Sequence, residues 1–422
     1  MICIIAPNPS TVKNKEGYMQ RVAAIDDMFS TKQKIYLSDI DGIDEKMQTL
    51  VKSSAIYIHS IHQVRWISAI YAVFSDKIIT DLHGIVPEEE SYLGNEKASS
   101  EMADVEREVF KYGKKFIAVS QKMVDWYNNK YSLGDDTVWI ILPIFSGTLS
   151  SRRHLLSYKR RQVIYAGGMQ RWQNPDLMVR AIKDARSYSY CIYTHEGDIL
   201  NDLLRKNSID GVNVKSGSKE QVIEEYSSSK LGFLLRDDHA LNRVSCPTKL
   251  VEYLSNGVVP IVLSPYIGDF FDLGYRYVLY DDFVNKPINE AKIHSAANHN
   301  YIVAKEINKI TADGIDHLKE IILNLSKKHQ TIRDIDRSYI KAVLQGNELL
   351  ILSEKHKSHI HILEHQITCQ SQTISALQSS VVSLQSTISD MLVSKRWLLG
   401  EIVNKPKELI RHINKSDSSK LK

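Results

Sequence analysis

An α/β fold with two doubly wound domains and a helical C-terminal extension is predicted by three features of the 422-residue sequence. Short apolar runs alternate with amphipathic segments in two successive series, which argues parallel sheets covered by helices on both faces. A Ser- and Arg-rich stretch at 145–161 separates the series. Beyond residue 360 the apolar spacing changes to the three-and-four step of a coiled coil. Length alone favours more than one core.

Composition narrows the class further. A hydrophobic share of 43% with 25% charged residues is that of a soluble globular protein. Four scattered cysteines (Cys3, Cys191, Cys246, Cys369) form no close pair, so neither a zinc site nor a disulfide framework is expected. That fits a reducing cytosol, hence a cytoplasmic protein. The opening Met-Ile-Cys-Ile-Ile-Ala-Pro reads as a first strand and not as a signal peptide. No apolar run is long enough for a spanning helix. The net charge of +4 is uneven. From Lys395 onward eight Lys/Arg face three acids, +5, which leaves −1 on the rest of the chain. A near-neutral body argues against nucleic acid as partner, and the basic end points to an anionic surface.

In the first series, strands are expected at 2–6, 34–37, 55–59, 77–81, 115–120 and 138–142, with amphipathic segments at 64–74, 101–112 and 122–131. In doubly wound sheets the ligand crevice lies beyond the carboxyl ends of the strands. The segment Asp81-Leu-His-Gly-Ile-Val-Pro-Glu-Glu89 occupies such an end. A neutral His83 there can hydrogen-bond a hydroxyl, or can satisfy a backbone carbonyl. Asp81 is placed to orient His83 or to cap the loop. Glu88, Glu89 and Glu90 form a charge run of the kind usually solvated, so no metal ligands are assigned. Ser120 is expected to cap the helix that follows its strand.

The second series opens with Gln162-Val-Ile-Tyr-Ala-Gly-Gly168, where Gly167 and Gly168 let backbone approach a phosphate and Arg171 follows within reach. Strands are expected at 188–193, 212–215, 231–235 and 258–263, with 266–269 and 277–282 completing the sheet and a helical region at 302–327 closing it. Between strands lies Cys246-Pro-Thr-Lys-Leu-Val-Glu-Tyr-Leu-Ser-Asn-Gly257. Pro247 suits a first helical position and Gly257 a left-handed residue past a helix end. The N–H groups of Thr248 and Lys249 then favour an anion, and Glu252 one turn on offers a carboxylate to hydroxyls beyond it.

Pro247-x-Lys249-x-x-Glu252-Tyr-Leu-x-x-Gly257-x-x-Pro260-Ile-Val resembles the donor-site segment of family-four glycosyltransferases. The resemblance covers roughly residues 1–330 and implies the GT-B fold of two Rossmann-like domains. It implies a retaining, metal-independent transfer of a hexosyl group from a nucleotide-diphosphate sugar, in biosynthesis of a bacterial surface polysaccharide, with a glycan or lipid-linked acceptor and no cofactor. Catalytic candidates are His83, Arg171 and Lys249. Donor-binding candidates are Gly167, Gly168, Arg243, Thr248 and Glu252. Gly17, Arg21 and Asp81 stand on the acceptor side. The family commonly carries a second glutamate eight residues before the position of Glu252. Val244 stands there, with Arg243, Asn242 or Asp238 as substitutes.

From Ile360 the heptad a positions are Ile, Ile, Ile, Val and Ile, and the d positions Leu, Gln, Leu, Leu and Met. This pattern favours a parallel two-stranded coiled coil with Gln370 fixing register, or one long helix packed on its own domain. A homodimer or a partner enzyme would be its target. The basic segment from Trp397 to Ile413, broken by Pro406, suits peripheral contact with anionic lipid at the inner membrane face or a solvated tail. The expected organisation is thus 1–145 and 162–330 as the two Rossmann-like domains with 146–161 as linker. A connector at 331–355, a coiled coil at 356–394 and a tail at 395–422 follow. Two functions fit: a glycosyltransferase, or a non-catalytic assembly protein of the same fold.

Overall fold

The computed structural model describes residues 1–10, 17–143, 160–327 and 334–416. The linker expected at 146–161 therefore falls almost wholly outside the described residues, as does most of the loop preceding Gly17. By internal packing the chain forms two compact units, Met1–Asn347 and Glu348–Lys422.

The first unit holds two parallel six-stranded sheets. One is built from β1 (Ile2–Ile5), β2 (Lys34–Tyr36), β3 (Ala55–His59), β4 (Ile78–Leu82), β5 (Lys115–Ala118) and β6 (Val138–Ile141), in the order β2-β1-β3-β4-β5-β6. The other comprises β7 (Arg160–Ala166), β8 (Ser189–Tyr193), β9 (Val212–Lys215), β10 (Ser229–Leu234), β11 (Val259–Val262) and β12 (Val278–Leu279), in the order β12-β11-β10-β7-β8-β9. Every residue of β1, β3, β4 and β11 is buried. Helices cover both faces, which is why these strands read as continuous apolar runs. In the second sheet the strand order reverses between β7 and β10, so a crevice opens at their carboxyl ends.

The two sheets are tied together at several points. The helix Glu290–Lys327 packs Ile293, Ala296 and Ala297 on the second domain's core and Leu318 and Leu325 on the first domain's. Gly314 lets it pass close to the Ile141 carbonyl. Ser120 caps the helix Gln121–Lys130 by accepting from the Met123 N–H (3.0 Å) and donates to the Val244 carbonyl at 2.6 Å. Asp269 accepts from the N–H groups of Gln121 (2.7 Å) and Lys122 (3.0 Å).

Four expectations change. Residues 266–269 form a turn, not a strand, because Asp269 is drawn onto a helix N-terminus of the first domain and Gly268 adopts φ +44° against the Ser245 carbonyl. The 277–282 strand shrinks to Val278–Leu279, since Tyr280 begins a helix, Tyr280–Asn285. The closing helix starts at Glu290, not 302, because Ala296 and Ala297 give its earlier turns an apolar face. Pro247 is the N-cap, with extended backbone, and Thr248 opens the helix.

The final helix is continuous from Asp334 to Ser416. Its first turns belong to the first unit: Ile340 and Leu344 are buried, and Tyr339 donates to the Ala69 carbonyl at 2.8 Å. Pro406, expected to break it, lies within the continuous span. In the second unit Ile360, Leu363, Ile367, Ile374, Leu377, Val381, Leu384 and Ile388 are all exposed. No helix among the described residues is long and apolar enough to cross a membrane.

Candidate active site

The helix Thr248–Ser255 is held against the second sheet by its apolar face, Leu250, Val251, Tyr253 and Leu254. The Tyr253 hydroxyl donates to the carbonyls of Ile164 on β7 and Phe233 on β10, both at 3.2 Å, and Gly232 leaves room for its ring. The helix therefore starts at the crevice between β7 and β10. Its first amides, on Thr248 and Lys249, have no carbonyl one turn back to bind.

Two cations converge there. The Lys249 ammonium is enclosed 3.6 Å over the Tyr165 ring, 3.3 Å from Gln173 Oε1, and against Gly167, whose φ of +154° and missing side chain leave space for it. Arg236 follows β10 and donates from Nη1 to Asn242 Oδ1 at 3.3 Å, while its buried Nε has no acceptor. Burial, and then the Arg236 charge, pull the Lys249 ammonium well below the usual lysine range. Burial also lowers Arg236. Among the described residues neither cation has a carboxylate within ion-pair distance. Enclosing two such charges costs several kcal/mol per ion, which a bound anion would offset.

Glu252 stands one turn into the helix and accepts from the Tyr226 hydroxyl at 3.1 Å. Burial holds its carboxyl above the usual range, against the pull of Lys219, the Tyr226 hydroxyl and Lys249. Gly168 packs against Gln170, and the Tyr165 hydroxyl donates to its carbonyl. Arg171 is exposed, and its charge is felt at the Tyr92 hydroxyl of the first domain. Arg243 is turned away onto Asp238 in a two-pronged ion pair (2.7 and 2.9 Å), so these two substitutes for the absent glutamate occupy each other. Val244 itself is buried in the core that joins the domains.

In the first domain Arg21 and Asp81 meet as a buried bidentate pair, Nε–Oδ2 2.9 Å and Nη2–Oδ1 2.8 Å. Tyr57 donates to Asp81 Oδ2 at 2.5 Å, and Arg21 Nη1 reaches the carbonyls of Leu142 and Pro143. Burial alone would raise the Asp81 carboxyl, but the Arg21 guanidinium holds it well below the usual range. Both residues are thereby paired with each other inside the core, and Gly17 opens the helix Gly17–Asp26. The rings of His59 and His83 stack at 4.4 Å. Burial lowers His83 to about 4, so the ring is neutral, and its buried Nδ1 has no partner. Ligand atoms of His59, Asp81 and His83 lie within 4.8 Å of one another. A cation does not fit there, because the Arg21 guanidinium already holds both Asp81 oxygens.

Reasoning from sequence missed Arg236 and Glu89. Arg236 carried the signal that selected His83, a polar residue just beyond a strand. The run Glu88–Glu90, expected to be solvated, splits three ways. Glu88 pairs with Lys130 at 2.7 Å and Glu90 accepts from Asn95 at 2.9 Å, while Glu89 turns inward toward Arg236.

No family profile matches the chain, and no curated protein matches it in sequence. Solved structures do. HepE from Anabaena, in complex with UDP-glucose, is 12% identical over 76% of this chain and 99% of its own, with a TM-score of 0.54. The GtfA/B complex is 14% identical over 68% of this chain and 60% of that chain, TM-score 0.45. S. aureus TarM, in complex with UDP among other ligands, is 12% identical over 68% and 58%, TM-score 0.45. The chain thus spans about three fifths of the latter two. Its two parallel-sheet domains are the α/β two-domain architecture of GT-B proteins.

Proposed function

We propose that this protein is a glycosyltransferase that moves a sugar from a nucleotide-diphosphate sugar to an acceptor hydroxyl. The observation that carries this reading is the pair of enclosed cations, Arg236 and Lys249, at the start of the Thr248–Ser255 helix, with no carboxylate at ion-pair distance among the described residues. A diphosphate supplies the missing charge. Glu252, one helical turn beyond, suits the ribose diol. UDP-glucose in HepE, which shares the fold, supports uridine as the first base to test.

In the reaction the bond from the anomeric carbon to the diphosphate oxygen breaks and its electrons leave with the diphosphate. The acceptor oxygen forms the new bond, and its proton passes to the departing phosphate. Lys249, Arg236 and the helix amides stabilise the charge that develops, each charge-assisted contact contributing about 1.5–3 kcal/mol. On this reading that positive charge stands in for a metal, and attack by the acceptor oxygen from the face that the diphosphate leaves keeps the anomeric configuration. Neutral His83, at the facing domain's strand end, hydrogen-bonds the sugar or acceptor. Arg171, exposed at the mouth, contributes charge on closure.

The exposed heptad stripe supports self-association of the long helix as a parallel two-stranded coil. A Val381→Asp variant is expected to sediment as a monomer with its nucleotide affinity intact. The membrane role of the tail and a polysaccharide or lipid-linked acceptor belong to the same proposal. Liposome flotation with and without residues after 391 tests the former. Transfer or slow hydrolysis of UDP-glucose by the whole chain, abolished in Lys249→Ala and Glu252→Ala, tests the main reading. Undiminished turnover in both variants would refute it.

A further inference from the structure

We infer that Glu89 of the first domain supplies the carboxylate that holds the transferred sugar's hydroxyls, a role for which the second domain presents only Val244. The inference rests on the donor-site reading above. Val244 is enclosed, and its carbonyl is committed to Ser120 at 2.6 Å, so nothing polar reaches a sugar from that position. Glu89 lies on the helix Val86–Tyr92, which begins directly after His83-Gly84. Its carboxylate carbon sits 2.8 Å from where a side chain on Gly84 would begin, so glycine at 84 is what lets the acid fold in beside His83.

The same face of that helix is pressed toward the second domain. Tyr92, three residues on, donates to Asp237 at 3.2 Å and lies 5.0 Å from the His239 ring. That contact brings Glu89 to the loop that carries Arg236, whose charge acts on it. Among the described residues Glu89 has no ion-pair partner, unlike Glu88. Burial, with Glu90 and Glu88 adding to it, pushes its carboxyl up to about 7. An acid packed against Gly84 and acted on by a diphosphate-side arginine, with no ion-pair partner among the described residues, suits the vicinal hydroxyls of a pyranosyl ring. A carboxylate accepts two such hydroxyls at once.

The test uses calorimetric titration of the full chain with UDP-glucose, UDP-N-acetylglucosamine and GDP-mannose, each beside its bare diphosphate. For whichever sugar nucleotide the wild type binds most tightly, Glu89→Ala should weaken binding about tenfold or more. Affinity for the matching bare diphosphate should stay within about twofold. Glu89→Gln, which keeps an acceptor and the side-chain volume, should lose less. Its melting temperature should not fall, which a merely structural role would require. Equal loss for sugar nucleotide and bare diphosphate, or loss of neither, overturns the assignment while leaving the donor site standing. A wild type that binds none of the diphosphates overturns the donor-site reading and the assignment with it.

Discussion

Each domain encloses positive charge, but in opposite circumstances. Arg21 in the first domain meets Asp81 through two hydrogen bonds and has two further carbonyl acceptors, so its charge is fully compensated inside the protein. Arg236 and Lys249 in the second domain share one amide each, an aromatic face and each other's repulsion. A compensated buried ion is part of the fold. A pair with no carboxylate at ion-pair distance among the described residues is, on the proposed function, a cost that a bound anion offsets.

The contrast predicts opposite responses to loss of charge. Asp81→Ala leaves Arg21 enclosed and unpaired and should destabilise the chain by about 3–5 kcal/mol in urea titrations. Arg236→Met or Lys249→Met removes an enclosed charge with no carboxylate at ion-pair distance among the described residues. Those variants should be between neutral and about 2 kcal/mol more stable without ligand. A loss of stability in them comparable to that of Asp81→Ala would erase the distinction.

The pH dependence sharpens it. His59 and His83 are both held below the ordinary histidine range, chiefly by burial. Between about pH 6.5 and 4 the unfolded chain therefore binds more protons than the folded one. Stability should fall on acidification through that window, by on the order of 1–2 kcal/mol for His83, and His83→Asn should flatten the slope. Lys249 acts at the alkaline end. Its lowered affinity for a proton means that folded stability gains as pH rises toward 10.5, so the advantage of Lys249→Met shrinks there. The opposite sign is expected at Glu89, raised to about 7 with Arg236, Glu88 and Glu90 as the charges facing it. A group so raised favours folding at low pH and loses that contribution as pH climbs from about 4.5 through 7. Glu89→Gln should accordingly raise the melting temperature by a few degrees at pH 8 and leave it unchanged at pH 5.

Much of this architecture was legible in the chain. Strands buried on both faces betray themselves as unbroken apolar runs, and the helix from Thr248 announced itself through Pro247, Gly257 and its apolar spacing. What sequence does not carry is pairing. Arg21 and Asp81 lie sixty residues apart, and nothing local tells that they neutralise each other instead of facing an acceptor. Arg243 was the candidate and Arg236 was not, yet a carboxylate five residues away claims Arg243. Three consecutive glutamates look alike in a row, but a helix turns each by about 100°, so each meets different neighbours: Glu88 meets Lys130, Glu90 meets Asn95, and Glu89 packs against Gly84. The 266–269 turn was misread for a similar reason, since its role is to reach another domain's helix.

The central claim is that Arg236 and Lys249 hold a diphosphate. Titration of UDP into the wild type, Arg236→Met and Lys249→Met at one pH and low salt tests it most directly. Binding by the wild type, weakened about tenfold or more in each variant although both remain folded, is the predicted result. Binding that is equally tight in all three proteins, or undetectable in the wild type, would contradict it.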